Sequence, residues 1–136
     1  MSLSDREFLR QFEQLTLAEQ EFSHLGHLRL AWLYLNKYDL PSAVVKTSKG
    51  ITAYANSLGA TDKFHPTLTE AIVRIMHSRL QPDDKSLDAY LDRNQDLVEN
   101  MWAVLHEFYS PDLLFSDRAK REFVEPDLKP FPGGRQ

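Results

Sequence analysis

The sequence predicts an all-α fold, and three observations carry that prediction. Apolar residues recur at helical spacing, as in Leu97, Val98, Met101, Leu105 and Phe108. Val, Ile and Thr are not gathered into alternating runs, and no Asn-Gly or Asp-Gly hairpin signal occurs. Residues that start and stop helices punctuate the segments between. The connections are short, which implies mostly antiparallel neighbours in an irregular bundle of roughly five to six helices, in a single domain.

Each element follows from local signals. Ser4-Asp5-Arg6-Glu7 reads as a capping box opening a short helix that carries Phe8, Leu9 and Phe12. Residues 15–22 have mixed signals and read as a linker with at most one helical turn. Ser23 is the N-cap of a helix running to about 38. Asp39-Leu40-Pro41 gives a cap and an early proline, and Gly59 closes that helix. Gly50 within it costs about 1 kcal/mol against Ala, so a kink or close packing is expected there. Pro66 begins a helix to about 80, with Thr67-Leu68-Thr69-Glu70 as a capping box. Gln81-Pro82-Asp83-Asp84 is a turn, and Ser86 opens a helix to about 93. Residues 96–109 read as one helix stopped by Ser110-Pro111, and Ser116 caps a short piece to 123. The expected organisation is a helical domain over 1–124 and an extended, proline-rich tail over 125–136.

Composition narrows the function classes. The 136 residues carry a net charge of −4, and Lys and Arg form no run that tracks phosphates, so no nucleic-acid partner is expected. There are no cysteines, which excludes disulfides, thiolate catalysis and cysteine-type zinc sites. No apolar run approaches the roughly 20 residues of a membrane span. The polar start MSLSDREFLRQFEQ does not resemble a targeting peptide, and a cytoplasmic location is the expectation.

The histidines carry the chemistry. On the helix after Ser23, Gly26, Arg29, Asn36 and Lys37 mark the wet side, which turns His24 and His27 inward with Leu28, Ala31 and Leu35. Their i, i+3 spacing allows both to share one ion. His65, projected above Thr69 and Ile72, also points inward, whereas His77 and His106 face solvent. If the two helix starts meet, His24, His27 and His65 converge. Three neutral imidazoles with an open position are the ligand set of a divalent metal, with zinc, iron, nickel and copper all suited. Such an ion activates water or polarises a carbonyl, as in a hydrolase or lyase acting on a small molecule. Glu21, Thr69 and Tyr34 are candidates to orient the rings, and Arg29 to guard a pocket mouth. Three bland alternatives stay open: satisfied structural histidines, a metal-free acid–base site, and a non-catalytic interaction module or homodimer.

Two segments also carry a resemblance. Residues 21–35 present an aromatic, a hydroxyl residue, then H-x-x-H-L-R and an Ala/Leu-rich helix (Phe22-Ser23-His24 through Leu35). Phe64-His65-Pro66-Thr67-Leu68-Thr69 is an aromatic-H-x-T-x-T segment. Together they resemble a family of small, uncharacterised bacterial all-helical proteins. The resemblance covers most of the chain, including Tyr109-Ser110-Pro111-Asp112-Leu113-Leu114 and Phe123-Val124-Glu125-Pro126-Asp127. It implies that His24, His27, His65, Thr67 and Thr69 occupy the family's motif positions. Pro66 stands where that motif has Glu, so the Glu's role is lost or passes to Glu70. The resemblance implies a site and no particular reaction.

Overall fold

The computed structural model describes residues 3–60 and 64–132; among them every regular element is a helix. The chain divides into two compact units, Met1–Phe64 and His65–Gln136, where the sequence expectation draws one domain through 124 and a tail from 125.

The first unit is built on α2 (His24–Lys37) and α3 (Leu40–Ser57), which pack against each other. Only Tyr38 and Asp39 join them, so they run antiparallel. Asp39 makes the reversal abrupt, because its carboxylate accepts the Ser42 N–H at 2.9 Å and satisfies one of the helix's orphan donors. Gly59, at φ 74°, follows α3 in the left-handed region that glycine enters without strain.

α1 (Asp5–Glu13) also packs on α3. Ser4 caps it by accepting the Glu7 N–H at 3.1 Å, but the box is half made. The Glu7 carboxylate turns to Arg10 and Gln11 rather than back to the cap. α1 buries Phe8 and Phe12. Phe12 sits where a side chain at residue 50 would be: a Cβ there would stand 2.6 Å from its ring. Gly50 is therefore the close-packing alternative of the two expected. Three polar struts fix α1 and the chain after it. Arg29 reaches Asp5 at 2.8 Å and lies over the Phe8 ring at 4.6 Å, Tyr34 donates to Glu13 at 2.7 Å, and Tyr54 donates to the Leu17 carbonyl at 2.7 Å. A 3₁₀ turn, Glu19–Glu21, supplies the single turn expected of the linker.

The second unit starts with α4 (Pro66–Ser78), followed by α5 (Leu87–Arg93), α6 (Gln95–Glu99), α7 (Met101–Leu105), α8 (Pro111–Leu114) and α9 (Asp117–Arg121). Ser86, Ser110 and Ser116 cap α5, α8 and α9 through their hydroxyls. The single helix expected over 96–109 is not formed. Asn100 leaves helical geometry at φ −148°, ψ 43°, separating α6 from α7. Trp102 on α7 is 52% exposed.

Residues 122–132 contain no helix and lie against this unit. The Thr67 hydroxyl donates to the Glu122 carbonyl at 2.9 Å and accepts the Val124 N–H at 3.1 Å. Tyr109 donates to the Val124 carbonyl, the Leu128 N–H bonds the Phe108 carbonyl, and Phe131 packs on the Phe108 ring at 5.4 Å. No helix of the described residues is long and apolar enough to cross a membrane.

Candidate functional site

His27 stands in the first turn of α2. Its Nδ1 lies 2.8 Å from the Ser23 carbonyl oxygen, which also accepts the His27 backbone N–H at 2.9 Å. A carbonyl can only accept, so Nδ1 carries the proton and Nε2 keeps its lone pair. Nε2 has no hydrogen-bond partner among the described residues. Burial pushes the ring's pKa below the ordinary histidine value; the Ser23 bond opposes that and His24 adds to it. The ring is therefore held neutral at physiological pH, with one open acceptor.

Phe22 fixes the ring's plane, stacking on it at 3.9 Å and 25°. Phe22 is itself packed by Phe12 at 5.1 Å and meets Tyr54 edge-on at 5.0 Å. Gly26 makes this arrangement possible. A Cβ at residue 26 would stand 2.4 Å from the Glu21 carbonyl oxygen, so the 3₁₀ turn can press against the start of α2 only over a glycine. Gly26 is thus buried, not on the wet side expected for it. Glycine has no side chain to register as apolar, which hides such a seam from a periodicity count.

A cavity of about 320 Å³ opens beside the ring, within the first unit. Phe22, Tyr54 and Phe64 give it aromatic walls, and Ile51, Ala55 and Leu58 line it from α3 and its end. Its polar edge is His27 and Glu19. Tyr54 and Glu19 carry no site signal in the sequence, and Phe22 and Phe64 enter it only as motif aromatics. The only signal for them is an aromatic just before Ser23-His24 and a second just before His65.

The other candidates have different surroundings. His24, expected inward, is exposed. It heads the Leu28–Ala31–Leu35 stripe, and the buried residues of that stripe begin at Leu28. His65 is the N-cap of α4, and both its ring nitrogens are engaged. Nδ1 accepts the Leu68 N–H at 3.1 Å, and Nε2–H donates to the Leu114 carbonyl at 3.0 Å. Burial lowers its pKa as well. Neither nitrogen is left to hold an ion. Arg29 is committed to Asp5 and to the Leu3 carbonyl. Tyr34 is buried on Glu13, Glu70 pairs with Arg74 at 2.8 Å, and Glu21 offers its backbone carbonyl to the Gly26 seam. Thr69 is half-buried on α4, its N–H bonded to the His65 carbonyl at 3.0 Å. Among the described residues, no three His, Cys, Asp or Glu side chains stand together as a metal-binding group.

No family model, no curated protein and no solved structure matches this chain.

Proposed function

We propose that this protein binds a small molecule in the cavity beside His27, with the imidazole Nε2 as the polar anchor. One observation carries the proposal: a neutral ring, fixed by Ser23 and Phe22, presents an uncommitted acceptor at a cavity walled by aromatic and aliphatic side chains. Small-molecule sites combine apolar walls with polar groups that set orientation, and this cavity lies at the lower end of their usual range of about 300–1,000 Å³. The fit is to a ligand of about one ring that donates a hydrogen bond. A role for His27 as a proton acceptor in a reaction uses the same geometry.

Phenol tests the proposal, because its ring suits the walls and its hydroxyl can donate to Nε2. The expected result is a saturable shift of the His27 ring resonances with phenol and a much weaker one with toluene. Ala55→Phe, which places a ring in the cavity, should abolish both. Shifts that persist in Ala55→Phe, or no saturable shift with phenol, would contradict the proposed site.

A further inference from the structure

Among the described residues, the uncommitted hydrogen-bonding groups at this cavity are acceptors. His27 offers an acceptor, since Nδ1–H is spent on Ser23. Glu19 offers a carboxylate, which is exposed and has no ion pair among the described residues. The Tyr54 hydroxyl also lines the wall, and its proton is donated to the Leu17 carbonyl at 2.7 Å. Among the described residues no Lys, Arg, Ser, Thr, Asn or Gln side chain lines the cavity. Among the described residues, an anion there would meet lone pairs and a negative charge, with no side-chain donor to satisfy it.

The walls reinforce the same preference. Phe22, Tyr54 and Phe64 line the cavity with aromatic rings, a residue class that attracts cations. Burial raises the Tyr54 pKa and Glu19 acts electrostatically in the same direction, so the carboxylate's field reaches the cavity wall. The chain's net charge of −4 adds a weak long-range bias of the same sign.

Resting on the proposed small-molecule site, we infer that its ligand is a cationic amine with an apolar, ring-sized body. The ammonium donates to His27 Nε2 and pairs with Glu19, and the hydrocarbon part lies against Phe22, Tyr54 and Ile51. An alkylammonium resembles a lysine side chain, with a pKa of about 10.4, so at physiological pH it is charged while His27 is neutral.

Three probes of similar shape separate the ligand class from the site itself: 2-phenylethylamine, 2-phenylethanol and 3-phenylpropionate. Binding is read by the His27 ring resonances and by calorimetry on the full chain. The amine is expected to bind at least about tenfold more tightly than the alcohol, and the carboxylate not measurably. Glu19→Gln, a change at an exposed position, should weaken the amine about fivefold and leave the alcohol unchanged. If the alcohol or the carboxylate binds as well as the amine, the amine inference is overturned while the cavity remains a binding site. If Glu19→Gln weakens all probes equally, the charge pairing is overturned. If none of the three binds, the amine inference falls, and the phenol experiment decides separately whether the site survives.

Discussion

His27 and His65 each stand at the start of a helix, each is half-buried, and burial lowers the pKa of each. They differ in what their nitrogens do. His65 holds its proton on Nε2 for the Leu114 carbonyl and receives the Leu68 N–H on Nδ1. His27 holds its proton on Nδ1 for Ser23 and leaves Nε2 uncommitted. The rings are opposite tautomers, fixed by their partners. A histidine with both nitrogens used is a structural strut, and one with a single nitrogen used is equipped to meet a ligand.

The largest effect that sharpens this contrast is His65→Ala. It removes the cap of α4 and orphans the Leu114 carbonyl, at a cost of about 2–3 kcal/mol in denaturant unfolding. His65→Asn restores a good capping group but not the strut, and should recover about 1 kcal/mol. Equal loss in both variants would show that the cap contributes nothing.

Gly26→Ala comes next. The added methyl meets the Glu21 backbone, which cannot swing aside as a side chain can. Overpacking by about 3 kcal/mol, less about 1 kcal/mol of improved helix propensity, leaves a net loss near 2 kcal/mol. The same variant should weaken phenol binding, because the seam sets the position of Phe22 against His27. A stabilised Gly26→Ala protein would contradict the seam.

Acid tests both rings together. Each has a folded-state pKa below the unfolded value of about 6.5, so the unfolded chain takes up protons first. Stability is fully present above about 6.5 and falls as pH drops through the folded values. A second loss follows at lower pH, because Asp96, Asp84 and Asp127 are held below the ordinary carboxylate range by Arg79, Arg93 and Ser110 respectively. Urea midpoints measured from pH 8 to 5, conditions that span the histidine range, should decline in wild type and decline less in His65→Asn. A rise in stability over that range would reverse the assigned sign.

His27→Ala should have the smallest effect on folding, about 1 kcal/mol, from the lost stacking on Phe22. Its effect on phenol binding should nevertheless be complete. A variant that folds normally and binds normally would remove His27 from the site.

Much of the fold was legible because helix starts are local. Ser4, Ser23, Asp39, Ser86 and Ser116 each precede the helix they were expected to open, and Pro66 lies at the first turn of α4. What failed was decided at longer range. Asn100 interrupts a run of continuous helical periodicity, and nothing in the run distinguishes it from a tolerated polar position. Periodicity assigned His24 and His27 to one face but carries no information on where the cover over that face ends. His65 was correctly placed near a helix start, yet its partners lie 3 and 49 positions away, and only the nearer one is a local matter. The cavity draws its walls from the 3₁₀ turn, α2, α3 and the chain after it, so no single segment announces it.

Long-range ¹H–¹⁵N correlation of the imidazole rings at about pH 8 reads the contrast directly, because protonated and bare ring nitrogens resonate far apart. The expected spectrum shows His27 protonated on Nδ1 and His65 on Nε2, with His27 Nε2 moving on addition of 2-phenylethylamine. A His27 protonated on Nε2, or a His27 ring indifferent to every probe while His65 responds, would contradict the assignment of the two roles.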